Sequence, residues 1–217
     1  MKKTIQGVMA AVALAALSGP AHAGLISTAN GVENFLWSYN TGAGVTITGN
    51  GSFTASLSGN NLLLDITLNN TTALPPNQNM ALYSFGFGID PNATSVTFMD
   101  TADGGMDDAA MTGQQGNTKI PSLTGIEICA FGADHCSGGD VKTGIQAGGG
   151  DAFSLLLGGS WGSFVTIAPI GFKFQGTVGS FEFYTDTPGT PVPEPGSLAL
   201  LGLGLAGLGL MRRRRAA

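Results

Sequence analysis

Short runs in which apolar and polar residues strictly alternate govern what this chain can fold into. Phe53, Ala55 and Leu57 alternate with Thr54, Ser56 and Ser58, and Leu62, Leu64 and Ile66 repeat the pattern beyond Gly59-Asn60. A period of two places one set on each face of a strand, whereas a helix face needs apolar residues three and four apart. A two-residue loop at Gly59-Asn60 pairs Leu57 with Leu62, Ala55 with Leu64 and Phe53 with Ile66, so the two strands share one apolar face. Upstream, Val45 and Ile47 alternate with Thr46 and Thr48, and Gly49-Asn50-Gly51 reads as a turn. A two-residue loop there would put the apolar sets on opposite faces. A three-residue loop pairs Ile47 with Phe53 and Val45 with Ala55, so burial selects it.

The rest of the chain between its two ends follows the same rule. Strands are expected over Ala81–Ile89, Ser95–Met99, Ile126–Phe131, Phe153–Leu157, Phe164–Ile167, Ile170–Gln175 and Ser180–Tyr184. Asn69–Asn79 is a loop around Pro75-Pro76. Thr101–Thr124 is rich in Gly and Asp and reads as irregular, with one helical turn near Asp107–Met111. Roughly eight to ten short strands predict a single all-β domain, a β-sandwich or jelly-roll-like fold.

Both ends look like processing segments. Lys2-Lys3 precede the apolar run Val8–Leu17, and Ala21-His22-Ala23 fits a signal-peptidase site, so cleavage is expected between Ala23 and Gly24. At the other end, Pro193-Glu194-Pro195 leads into Leu198–Met211, which carries no charge, and then into Arg212, Arg213, Arg214 and Arg215. Proline cannot join a helix interior, so the Pro run marks the end of the folded part. Counted from Gly196, a helix through the apolar run rises roughly 24 Å, somewhat short of the ~30 Å hydrocarbon core. It is expected to hold the chain in the inner membrane transiently, with the four Arg as a topology cluster on the cytoplasmic side. The expected organisation is a signal peptide at 1–23, an all-β passenger at 24–184, a Pro/Thr linker at 185–195, and an apolar helix with its Arg cluster at 196–217. About 165 residues remain between the ends, enough for one domain with a real core.

That tail resembles the PEP-CTERM sorting signal of Gram-negative bacteria, with its three parts in the family's order and spacing. The resemblance implies that exosortase, a membrane transpeptidase-like enzyme, recognises and cleaves the tail. It further implies delivery to the cell surface or to an extracellular polysaccharide matrix. The run Ile126–Gly139 and the aromatic strand Leu82–Asp90 also look like the cistern branch of PEP-CTERM proteins. The match to the sorting signal covers only the tail, so it supplies an address rather than the passenger's task.

Charge excludes one class of partner. Between Gly24 and Thr190 only Lys119, Lys142 and Lys173 face thirteen Asp and Glu, a formal charge of −10. A nucleic-acid binder needs the opposite sign.

The candidate chemistry is sparse. Cys129 and Cys136 are the only cysteines, and an even pair in an exported chain reads as one disulfide, worth about 2–3 kcal/mol for so short a loop. A zinc site on Cys129, His135 and Cys136 lacks a fourth ligand and the usual spacing. Gly158-Gly159-Ser160-Trp161-Gly162 matches G-x-S-x-G, but a nucleophile elbow needs a helix after the Ser and a His later in the chain. Phe164–Ile167 is a strand pattern, and His135 precedes Ser160, so the motif reads as a hairpin turn. Asp100, Asp103, Asp107 and Asp108 crowd a Gly-rich loop that could take Ca²⁺, although the EF-hand spacing is missing. Trp37, Tyr39 and Trp161 could form a sugar-stacking face. No motif singles out a carboxylate pair for glycoside hydrolysis.

The expectation is an exported, non-enzymatic all-β protein with no cofactor. It is handled by signal peptidase, the export machinery and exosortase, and its role is structural or adhesive. The rival reading is a carbohydrate-binding module attached to exopolysaccharide, with an uncharacterised secreted enzyme third.

Overall fold

The computed structural model describes residues 24–100, 104–112, 119–132, 135–140 and 142–185. Twelve strands run in chain order: β1 (Gly24–Ser27), β2 (Ala29–Asn40), β3 (Thr46–Ser58), β4 (Asn61–Asn70), β5 (Met80–Asp90) and β6 (Ser95–Phe98). They continue with β7 (Asp108–Met111), β8 (Ile128–Phe131), β9 (Ile145–Gln146), β10 (Gly150–Gly158), β11 (Phe164–Gly176) and β12 (Gly179–Thr185). One antiparallel sheet has the order β2-β3-β4-β10-β6. The other has the order β1-β11-β5-β8-β7, with β12 also on β11 and β9 also on β5. The two sheets enclose one continuous apolar core.

Aromatic rings join the sheets. Phe35 and Phe53 from the five-stranded sheet meet Phe85 of the seven-stranded sheet at ring distances of 5.9 and 5.8 Å, and Trp37 lies 4.5 Å from Phe172. Such pairs add specific geometry to the burial of large apolar area.

The β3–β4 hairpin has the expected register, with Leu57 on Leu62, Ala55 on Leu64 and Phe53 on Ile66. The Gly49-Asn50-Gly51 turn does not form, because β3 runs straight through it. Gly49 and Gly51 continue the inward row of Ile47, Phe53 and Ala55. In the register with β2, Trp37 stands opposite Gly49 and Phe35 opposite Gly51. A Cβ at Gly51 would fall 2.5 Å from Cζ of Phe35. The glycines are windows that admit two rings into the core. The helical turn near Asp107–Met111 is also corrected, since Asp108–Met111 is β7 on the edge of the larger sheet.

β5 is buried on both faces. Its inner face carries Leu82, Phe85, Phe87 and Ile89, and its outer face is roofed by residues 119–127 and 135–140. Ile120, Cys129, Phe131 and Cys136 form a second small core there, and Ser84 Oγ donates to the Cys136 carbonyl at 3.0 Å. Beneath this roof Lys173 pairs with Glu182, whose other carboxylate oxygen accepts from Ser122 N at 2.7 Å. Burial raises the Glu182 carboxyl, but the hydrogen bonds from Lys173 and Ser122 outweigh it and hold the group below its ordinary value.

The expected C-terminal apolar helix finds no counterpart among the described residues. The described residues contain strands and no helix, and none there is long and apolar enough to cross a membrane. Residues 196–217 lie outside the described residues. The run Leu198–Met211 is fourteen residues with four Gly, where a spanning helix needs about twenty apolar residues and each Gly weakens it by about 1 kcal/mol. Nothing among the described residues supports the transmembrane helix, the membrane contact through it or the transient inner-membrane stage.

Candidate functional site

The two outer faces of the sandwich differ. The larger sheet is roofed by residues 119–127 and 135–140, whereas the smaller sheet presents its outward row directly. On β3 that row is Thr48, Asn50, Ser52, Thr54 and Ser56, and on β4 it continues as Thr67 and Asn69. Asp65 is the one ionisable group at the outward positions of this sheet among the described residues, and Ser154 Oγ donates to it at 2.6 Å. Asn69 Nδ2 donates to Asn50 Oδ1 at 3.0 Å, and Thr71 Oγ1 to Thr48 Oγ1 at 3.2 Å. The alternation of β3 and the second half of β4 therefore builds a field of hydroxyl and amide groups held in register, bordered by the outward Val32, Leu36, Leu63 and Leu156. Such a field donates and accepts hydrogen bonds without strong charge.

One end of this field drops into an open cleft of about 510 Å³ where β2 meets β12. Ser38, Thr48, Asn50 and Thr71 supply polar groups, and Leu36 and Tyr184 supply apolar surface. Leu36 is 66% exposed and Tyr184 43% exposed. The Tyr184 hydroxyl accepts from Thr124 N and lies 2.9 Å from the Thr124 carbonyl, to which it donates, so the ring is fixed before any ligand arrives. Thr185 Oγ1 donates to the Leu36 carbonyl and ties the two sheets together at the rim. Trp37 borders the cleft, with its Nε1 buried and unpartnered. The cleft is open to solvent and combines an exposed aromatic residue with a few polar residues along its rim.

The three aromatics expected to form a stacking face do not come together. Trp37 is in the core, Tyr39 stacks on Phe183 at 4.5 Å, and Trp161 Nε1 donates to the Leu157 carbonyl at 3.2 Å. Of the three, only Trp37 reaches the cleft. Leu36, Asn50, Thr71 and Tyr184 carry no motif, and only the pairing of distant strands brings them together.

The remaining candidates resolve as follows. Cys129 and Cys136 are joined, with Cα atoms 6.3 Å apart, which removes the thiolates a zinc site would use. His135 is exposed beside them. The G-x-S-x-G segment links β10 of one sheet to β11 of the other, so it is a crossing between sheets rather than a hairpin turn. No helix follows Ser160. Thr28 binds the end of this crossing, donating from N to Ser163 O at 3.0 Å and from Oγ1 to Gly162 O at 2.8 Å. Asp103 lies outside the described residues, and among those described no three His, Cys, Asp or Glu side chains converge as metal ligands. Glu127 keeps a buried oxygen without a partner. Burial raises its carboxyl, the Ile89 backbone hydrogen bond lowers it and the charge of Asp90 raises it further.

Residues 191–215 match the PEP-CTERM protein-sorting motif. Ala23, Pro193, Glu194, Pro195 and Arg212–Arg215 lie outside the described residues. The chain is therefore a β-sandwich carrying an exosortase-type sorting tail. The tail makes it an exported protein sorted by exosortase. Comparison with curated proteins and with solved structures gave no match.

Proposed function

We propose that this exported protein acts as a structural or adhesive component of the cell surface or extracellular polysaccharide matrix, without catalysis. The observation that carries the reading is the part of the five-stranded sheet's outer face where β3 and the end of β4 present a registered row of Ser, Thr and Asn beside a single carboxylate. A polysaccharide offers the complementary groups, hydroxyls that donate and accept at close spacing. Many weak contacts along a flexible polymer sum to firm attachment through effective concentration. The acidic balance of the passenger keeps it soluble until it arrives.

A second reading is a carbohydrate-binding module with one defined subsite. The cleft favours it, because Tyr184, its hydroxyl held by Thr124, lines it together with Asn50 and Ser38. Affinity electrophoresis of the exported protein in gels containing the producing cell's own exopolysaccharide separates the two. Under the adhesive reading, Tyr184→Ala and Asn50→Ala each leave most of the retardation, and Ser52→Glu with Thr54→Glu and Thr67→Glu removes it. Under the module reading, either cleft substitution alone abolishes it. Migration unaffected by the polysaccharide defeats both.

A further inference from the structure

The inward row of β2 is Glu33, Phe35 and Trp37, a carboxylate in line with two core aromatics. Glu33 Oε1 is buried and has no hydrogen-bond partner. Burial alone acts on this carboxyl and raises it. A buried carboxylate oxygen left without a donor is costly and calls for a partner.

The nearest main chain belongs to β1. Gly24 is buried and faces inward, and the position its Cβ would take lies 3.0 Å from Glu33 Cγ and 3.2 Å from Oε1. The Gly24 nitrogen is two bonds from that position, so it lies within about 6 Å of the carboxylate. It is also held in place. Gly24 pairs with Ile167, and the Thr28 N to Ser163 O bond fixes which pairs of this ladder exchange hydrogen bonds. Every second pair does so, and Gly24 with Ile167 is one of them. In the uncleaved chain this nitrogen is an amide with a single hydrogen, used by the ladder. Hydrolysis of the Ala23–Gly24 bond by signal peptidase puts the hydroxyl of water on the Ala23 carbonyl and leaves Gly24 with an amine, protonated at neutral pH. An ammonium has three donors, one for Ile167 and two free.

We propose that Glu33 is a built-in receptor for the new N-terminus. Removal of the leader creates an ammonium at Gly24 that pairs with the waiting Glu33 carboxylate, so the mature sandwich holds an ion pair that its precursor lacks. β1 is thereby locked between β11 and β2 only in the exported chain. The proposal rests on cleavage after Ala23.

The test uses the exported protein and its Glu33→Gln variant. The mass of the N-terminal peptide first establishes the starting residue. Amine acetylation near pH 7.5 is then timed at Gly24 by peptide mass spectrometry, with Lys119 and Lys142 as internal references. The expected result is a Gly24 amine roughly tenfold slower in the natural protein than in the variant, as an opposite charge within about 6 Å holds the proton on. Complete acetylation of Gly24 lowers the melting temperature of the natural protein and leaves that of Glu33→Gln unmoved. A chain beginning at any other residue overturns the premise. A Gly24 start with equal amine reactivity in the two proteins, or an equal melting loss on acetylation, overturns the pairing itself.

Discussion

The indole of Trp37 occupies the space where a side chain at position 49 would stand: a Cβ built on Gly49 falls 2.0 Å from Cζ2 of the ring and 2.4 Å from the Asn69 carbonyl oxygen. Neither neighbour can yield cheaply, since one is a packed ring and the other is backbone. Gly49→Ala is therefore expected to destabilise the fold by about 3 kcal/mol and to lower Tm by about 6–12 °C. Gly162→Ala is the control, because its nearest neighbour is 3.9 Å away, and it should shift Tm little. Thermal melts of the two variants side by side check the claim. Equal effects would mean that the Gly49 window is not filled as described.

Glu182 and Glu127 should shape the pH dependence in opposite senses. The Glu182 carboxyl is held low, so its stabilisation is present above the unfolded carboxylate value of about 4.3 and is lost as pH falls through the folded value. Its side chain is 11% exposed and that of Lys173 6%, so Glu182→Gln strands a buried cation. It should cost about 3 kcal/mol at pH 7 and much less at pH 3. The Glu127 carboxyl is raised, so its contribution is full below the unfolded value and is lost as pH rises through the folded one. Glu127→Gln should raise stability at pH 7 and change nothing at pH 4. Denaturant titrations across pH 3–7 that give parallel curves for the three proteins would refute both assignments.

The disulfide ties β8 of the larger sheet to the segment around Cys136 that lies over β5. Reduction should release two thiols that are absent from the untreated protein, as intact-mass measurement after alkylation will read. The double Cys129→Ala, Cys136→Ala change should cost about 2–3 kcal/mol. It should speed hydrogen exchange around Ser84 and Ile120 more than in the β3–β4 hairpin. Uniform acceleration across both sheets would show that the roof and the sandwich open together.

Replacing Pro193-Glu194-Pro195 by three Ala should leave export intact and stop processing by exosortase. Mass spectrometry of C-terminal peptides reads the difference. The natural protein loses the residues beyond the motif, and the variant keeps Arg212–Arg215. Mature natural protein that still carries those arginines would remove exosortase from the account.

The hairpin of β3 and β4 was legible because each residue pair there answers to one rule, apolar inward and polar outward, around a two-residue loop. Gly49-Asn50-Gly51 misled for a physical reason. Glycine in an inward row and glycine in a turn look alike until the partner strand is known, and Phe35 and Trp37 on β2 sit ten or more residues upstream. β2 is absent from the expected strands although Glu33, Phe35 and Trp37 alternate as strictly as β3 does. Asp108–Met111 is too short for its period to separate strand from helix, and only its pairing with β8 decides. The sorting motif was fully legible, being a linear address. The cleft was not, because Leu36, Asn50, Thr71 and Tyr184 meet only through the order of the strands.

Thr185, at the rim of that cleft, is the last described residue before the linker and sorting tail. Any pull on the chain from that side enters the sandwich at one point. There it meets first the Thr185–Leu36 bond, then the Ile170–Thr185 end of the β11–β12 ladder, then the Tyr184 clasp on Thr124. A tug across the strands would open these one after another, while a tug along β12 would load all seven of its registered pairs at once. The direction of pull thus sets whether this corner behaves as a zip or as a bolt. A polymer seated beside Tyr184 would brace the corner that gives way first.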